Sequence, residues 1–428
     1  MYKRLGSLLI TSTIFLHLHA QSGPEALLAR ARRTVDTLCS PAMAGRGYQQ
    51  AGHETAARYL AERFAALGLE PAGAGGFFQP FPLRTHVILD ASLRFGAADL
   101  PPGEAWIAHG ASGTGDFRGK VADAGYGLAP GASRLQGRIA LFRAGWPPEL
   151  ANDPGARTRY QDLSSVPQRI EALLAQQPAA VIVVQEKLTA AYARQAYPVP
   201  VLEVLADRLP ARLSRAQGHV RAADSTLRSQ NVLALLPGQT DTVIAITAHY
   251  DHLGAYSGAV FAGANDNASG IAMLLALAEH FAGQRPRCGL LFIAFGGEEA
   301  GLAGSQFYVE QQPLIPLSRI RFLLNLDLMG NGDQGIMAVG GIEHGGALAQ
   351  LSALNDRLQA VPSVRARKNA PNSDHFFFLQ RGVPGLFIYT LGGPPHYHDV
   401  HDRPEVLPLS RFAELHALFS ALIETLAY

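Results

Sequence analysis

A run of ligand-type residues, His249-Tyr-Asp-His-Leu-Gly, is followed after a short loop by Gly263-Ala-Asn-Asp-Asn-Ala-Ser-Gly270. It lies between an apolar run that reads as a buried strand, Thr242 to Thr247, and one that reads as a helix, Ile271 to Phe281. Ligands bind at the carboxyl ends of strands in open α/β sheets. The stretch therefore reads as half of a metal site, with Gly263 and Gly270 letting the backbone turn around it. The other half is expected at the ends of further strands. Leu291 to Phe295 runs into Gly-Gly-Glu298-Glu299, Phe322 to Leu326 ends in Asp327, and the strand reaching Tyr389 leads to His396-Tyr-His398-Asp-Val-His401-Asp402. Carboxylates and imidazoles suit a zinc-type ion, and a carboxylate with two oxygens can bridge two ions ~3.5–4 Å apart. Adjacent Glu298 and Glu299 point in different directions, so one can bind metal while the other accepts a proton from water. Each residue alone has an ordinary structural reading. Four strand ends carrying ligand types in one sheet favour a single site.

The elements that must hold these residues follow from the apolar pattern. From Asn231 onward strand, loop and helix alternate. The strand-like runs are Val232–Leu236, Thr242–Thr247, Leu290–Phe295, Phe322–Leu326, Ile336–Val339 and Leu386–Tyr389. Helical runs lie at Ile271–Phe281, Gly346–Leu358 and Leu409–Leu426. This alternation predicts an α/β fold, a mostly parallel mixed sheet sandwiched by helices. Gly23 to Gly68 is helical in pattern, with Ala57, Leu60, Phe64 and Leu67 on one face. Between about Pro82 and Leu227 short apolar runs such as Arg138–Phe142, Ala180–Val184 and Val199–Leu202 alternate with Gly, Pro and Asp, around one helical stretch at Arg169–Ala175. That region reads as a smaller β-rich inserted domain.

Composition narrows the function. The chain has 428 residues, 48% apolar and 17% charged, enough for two cores. Its 36 basic and 35 acidic residues leave a net charge of +1 without a basic run to track phosphates, which excludes nucleic acid as a partner. Lys3 and Arg4 before the apolar stretch Leu8–Leu18, with Ala20 after it, read as a secretory signal peptide. No later run approaches the ~20 apolar residues that span a bilayer, so the mature protein is expected to be secreted or periplasmic with no transmembrane segment. Cys39 and Cys288 read as two buried thiols, with pairing left open. Other motifs fail. His53-Glu54 lacks the second His of a zinc helix, Gly330–Gly335 is followed by a strand-like run rather than a dinucleotide-binding helix, and G-x-S-x-G does not occur.

Six motifs in order, H-Y-D-H-L-G, G-A-N-D-N-A-S-G, F-x-x-F-G-G-E-E-x-G-L-x-G-S, N-L-D-x-M-G, S-D-H-x-x-F and Y-H-x-x-x-D, resemble those of the co-catalytic zinc aminopeptidases of the M28 metallopeptidase family. The likeness covers about Asn231 to Tyr428. Gly125–Gly127, Gly137–Leu141 and Ala180–Val183 resemble the protease-associated domain that many members carry as an insert. The implied organisation is a signal peptide over 1–20, the first part of a peptidase domain over 21–81, a protease-associated insert over 82–227 and the zinc peptidase domain over 228–428, with the zinc-exopeptidase fold. The resemblance implies two Zn2+, with Asp266 bridging them, His249 and Asp327 completing one site, and Glu299 and a late His the other. It further implies that Glu298 is the general base toward a metal-bridging water, that Asp251 orients His249, and that peptide or protein N-termini are the substrate. The late His departs from the usual H-T-x-x-D-T, leaving His398 and His401; His398 keeps the four-residue offset to Asp402 and is chosen. Tyr397 then matches a tyrosine that hydrogen-bonds the substrate carbonyl oxygen. His252, His375 and His396 are read as structural. The family also holds carboxypeptidases and dipeptidases, and its fold is shared by single-zinc glutaminyl cyclases and by non-catalytic ectodomains. The full ligand set and Glu298 favour the aminopeptidase, while the preferred terminal residue and the oligomeric state stay open.

Overall fold

The computed structural model describes residues 23–129 and 134–428, and the expected signal peptide over 1–20 lies outside them. Helices α1 (Pro24–Leu38) and α2 (Gly52–Ala66) open the chain. The helical pattern from Gly23 to Gly68 thus divides at a tight turn over Pro41–Arg46, where Ala44 and Arg46 take left-handed backbone angles. Strand β1 (Phe78–Phe95) leads to β2 (Gly115–Asp123), β3 (Ile139–Arg143), α3 (Val166–Leu174), β4 (Ala180–Gln185), β5 (Val201–Leu205) and the long β6 (Arg215–Leu236). Then come β7 (Val243–His249), α4 (Gly270–Phe281), β8 (Gly289–Phe295), α5 (Ala303–Glu310), β9 (Ile320–Asp327), β10 (Ile336–Val339), α6 (Gly345–Leu358), β11 (Val364–Arg367), α7 (His375–Gln380), β12 (Gly385–Thr390) and α8 (Phe412–Ala427).

The second half of the chain builds a mixed sheet in the order β11-β10-β12-β9-β7-β8-β6. β8, β7, β9 and β12 run parallel to one another. Their carboxyl ends, carrying His249, Glu298-Glu299, Asp327 and the approach to His398, therefore emerge on one edge. Every residue of β7 is buried, as its Val and Ile content and central position require. Its alternation sends Ile244, Ile246 and Ala248 to a core shared with α1, α2, α4 and α8, and Val243 and Ala245 to a second core with Tyr308 of α5 and Phe378 of α7. Helix α4 is apolar nearly all round and accordingly buried.

β1 and β6 form a long antiparallel ribbon from Phe78 opposite Val232 to Phe95 opposite Ala216. The inner half of β6 joins the larger sheet through β8, and the outer half pairs with β2, from which β3, β4 and β5 continue in parallel. Ile139, Leu141, Ile182 and Leu202 build one core on this smaller sheet, and Phe142, Val181 and Val183 build another against Ile170 and Leu173 of α3. Among the described residues no helix is long and apolar enough to cross a membrane. Both cysteines are free thiols. Cys39, half-buried, donates to the Ala262 carbonyl, and buried Cys288 meets Thr242 and Arg321.

Candidate metal centre

The loop between β7 and α4 is bound tightly to its neighbours, which fixes the position of Asp266. Gly263 has φ +60°, and a Cβ there would meet the Asp266 carbonyl oxygen at 2.1 Å and the His252 ring at 2.4 Å, so the turn admits only glycine. The Asn267 side chain accepts from the Gly270 and Leu328 amides and donates to the Leu326 carbonyl, stitching the loop to the end of β9. The Asp402 carboxylate accepts from the amides of Asn265 (2.8 Å) and Asp266 (3.0 Å). Beneath the loop, Arg46 is fully buried and donates to the carbonyls of Leu38, Tyr250, Ala262, Gly263 and Asp266.

Around Asp266 the strand ends converge. Its Oδ1 lies 3.3 Å from His249 Nε2, and its Oδ2 lies 3.1 Å from His398 Nε2. Asp327 Oδ2 is 3.5 Å from His249 Nε2, and Glu299 Oε2 is 3.3 Å from His398 Nε2. The five residues expected as ligands thus occupy one cluster with Asp266 at its middle. His401 is exposed and lies with its ring tilted against that of His396 instead. Glu298 sits beside Glu299, and its carboxylate has no hydrogen-bond or ion-pair partner among the described residues. Tyr397 lies parallel over the His398 ring at 3.8 Å and is 51% exposed.

The electrostatics are those of a cation site. Burial would raise the Asp266 carboxyl, but the flanking imidazoles of His249 and His398 hold it well below its ordinary range. Burial works against charging His249 too, yet Glu298 and Asp327 raise it well above its usual value. His398, also opposed by burial, is raised to about 9 by Glu299 and Asp266. Burial pushes Glu298 up, and so does the negative charge of Glu299, Asp374 and Asp327. All charge-pairing partners of Asp266, Asp327 and Glu299 are imidazoles among the described residues, and Asp327 Oδ1 is buried without a partner. A crowded set of imidazoles and carboxylates with an orphaned oxygen fits a divalent cation of the zinc type, which supplies the missing positive charge and partner. Among the described residues two sets of ligand atoms lie close enough to hold an ion: His249, Asp266 and Asp327, and His252, Asp266 and Glu299.

Residues 231–423 match the model for peptidase family M28. This chain carries a peptidase family M28 domain. Leupeptin-inactivating enzyme 1 of Streptomyces exfoliatus is 33% identical over 162 residues, covering 37% of this chain and 35% of that protein. Aminopeptidase YwaD of Bacillus subtilis strain 168 is 35% identical over 105 residues, covering 24% of this chain and 22% of that one. The aligned stretches thus span about a third or less of these relatives' lengths. The structure of a zinc aminopeptidase from Bacillus subtilis superimposes with a TM-score of 0.69 at 20% identity, covering 93% of this chain and 95% of the other, which shows the shared fold.

The M28 domain corrects the sequence reading at His252 and adds to it at Asp251 and Asp374. His252 is not a bystander: its Nδ1 lies 2.6 Å from Glu299 Oε1, because the turn after β7 brings it back over the Glu298-Glu299 loop. Asp251 meets His249 through its backbone carbonyl, 3.2 Å from Nδ1, while its carboxylate accepts from Tyr48 Oη and from the Glu298 and Glu299 amides. Its Oδ1 also lies 3.9 Å from His249 Nδ1, so Asp251 fixes the acidic turn as well as lying against the imidazole. Asp374, in Ser373-Asp374-His375, is fully buried, and burial raises it to about 7. Ser373 itself closes a chain from Thr247 through Asn325 toward Asp327 Oδ2. The second acidic or imidazole residue in each motif was the available signal; its partner lies far away in sequence.

Proposed function

We propose that this chain is an exported di-zinc aminopeptidase that removes N-terminal residues from peptides. The observation that carries the reading is that the two oxygens of Asp266 face two different imidazoles, His249 and His398, at 3.3 and 3.1 Å. His249, Asp266 and Asp327 would hold one ion, and Asp266, Glu299 and His398 the other. Zinc, when bound, supplies Lewis acidity toward a carbonyl oxygen and toward water. Glu298 then acts as general base, taking a proton from the attacking water and delivering it to the leaving amine. The Glu298 carboxylate, without a hydrogen-bond or ion-pair partner among the described residues, and the Glu298 and Glu299 amides, which donate to the Asp251 carboxylate, support that role. Tyr397, beside His398, is the donor to the developing oxyanion. Residues 82–227 act as a protease-associated insert between 21–81 and 228–428, and residues 1–20 as the export signal. The two Bacillus subtilis proteins to which the chain is similar are aminopeptidases, in keeping with this class.

Mass spectrometry of products from a mixed peptide library, with and without chelator, tests the activity. Stepwise loss of N-terminal residues, abolished by chelator, is the expected result. Internal cleavage, loss from the carboxyl terminus or indifference to chelator refutes it. His398→Ala should lose one of two bound zinc ions while His401→Ala keeps both; the reverse would reassign the last ligand.

A further inference from the structure

After β4 the smaller sheet sends a segment, residues 187–194, back over the metal centre. Ala190 meets His398 twice: its amide donates to the His398 carbonyl at 2.9 Å, and its carbonyl lies 2.9 Å from His398 Nδ1. A carbonyl oxygen only accepts, so Nδ1 carries the hydrogen in that contact. Nε2, facing Asp266 and Glu299, is the nitrogen left to bind a cation. His398 needs such support, since its φ of +59° is one that L side chains rarely adopt. The neighbouring contacts act in the same sense. Lys187 Nζ donates to the Tyr397 carbonyl at 2.9 Å, and Arg194 donates to the Gly301 carbonyl at 3.0 Å, tying the segment to both loops that flank the centre. Val400 lies in one apolar core with Leu188 and Ala190 of the segment, so the His398 loop is packed onto the smaller sheet as well as bonded to it.

We propose that residues 187–194 hold His398 in its ligating orientation, with Ala190 the positioning residue, so that zinc binding at the His398 half of the centre depends on the smaller domain. This rests on the reading of His398 as a metal ligand. Partners of this kind, on the far nitrogen of a ligating imidazole, set its tautomer and are worth about 10- to 100-fold in metal affinity.

The test uses the full chain and zinc alone, with both ions titrated against a competing chelator. Wild type should bind two ions and His398→Ala one. Ala190→Pro removes the amide donor and shifts the carbonyl. With its circular dichroism unchanged, it should bind the first ion as wild type does and the second about 10- to 100-fold more weakly. Nitrogen-15 spectra of the zinc-loaded wild type, with His398 assigned by its absence in His398→Ala, should show Nδ1 protonated and Nε2 not. The spectra decide the matter if Ala190→Pro does not fold. Wild-type affinity for both ions in a folded Ala190→Pro, or a proton on Nε2, overturns the inference and leaves the di-zinc reading standing. Two ions bound by His398→Ala would remove the reading itself.

Discussion

Glu298 and Glu299 are adjacent in sequence and are separated in role by their partners. Both carboxylate oxygens of Glu299 are engaged, Oε1 with His252 and Oε2 with His398, whereas those of Glu298 have no hydrogen-bond or ion-pair partner among the described residues. Glu298→Gln keeps the shape and removes the proton acceptor. Peptide turnover should fall about 10²- to 10⁴-fold with zinc content unchanged, and undiminished hydrolysis in that variant would sink the proposed mechanism. His252→Ala acts on the other carboxylate. It frees Glu299 Oε1 from its nearest partner, so zinc should bind about 10- to 100-fold more weakly while circular dichroism stays as in wild type. Equal affinity would show that Glu299 keeps its position without His252. The importance of His252 was hard to read from its motif, because one H-Y-D-H run offers two imidazoles and the partner that distinguishes them lies 47 residues further on.

The elements were legible where local pattern and burial agree. β7, β8, β9 and β12 are continuous apolar runs because both faces are covered, and their parallel order is what alternation of strand and helix predicts. The β1–β6 ribbon was not legible as a unit: it pairs Phe78 with Val232, far apart in sequence, and its outer residues alternate with Arg, His and Asp that face solvent. The Pro41–Arg46 turn was likewise hidden within a helical pattern, and it carries Arg46, whose guanidinium serves five carbonyls at once. Lysine has three donors on one nitrogen and cannot reproduce that fork. Arg46→Lys should leave buried carbonyls around residues 262–266 unpaired and lower unfolding stability by about 2–4 kcal/mol. Denaturant midpoints of the metal-free proteins measure it, and a change under ~0.5 kcal/mol would mean that water or the backbone satisfies those carbonyls.

At the scale of the whole molecule the two sheets meet along one ribbon, and the smaller one carries a buried acid of its own. Glu203, on β5, is 6% exposed, accepts from Gln185 at 3.1 Å and lies 3.8 Å from His109. Burial pushes its carboxyl up to about 7, from an ordinary value of 4.5. The folded state therefore holds a proton that the unfolded state releases between those values, so stability falls as pH rises from 4.5 to 7, and the full penalty, at most about 3 kcal/mol, is present above pH 7. His109 slopes the other way. Burial pushes its imidazole down to about 4, so the folded state resists a proton that the unfolded chain takes up below pH 6.5, and stability falls on acidification. That loss is common to wild type and Glu203→Gln. Glutamine keeps an oxygen for Gln185 and has no charge to desolvate. Denaturant midpoints of the two proteins, both stripped of metal, should therefore differ by about 2–3 kcal/mol in favour of Glu203→Gln at pH 8 and by little at pH 4, where Glu203 is protonated in both states. An equal difference at both pH values would trace the effect to packing and not to the buried carboxyl.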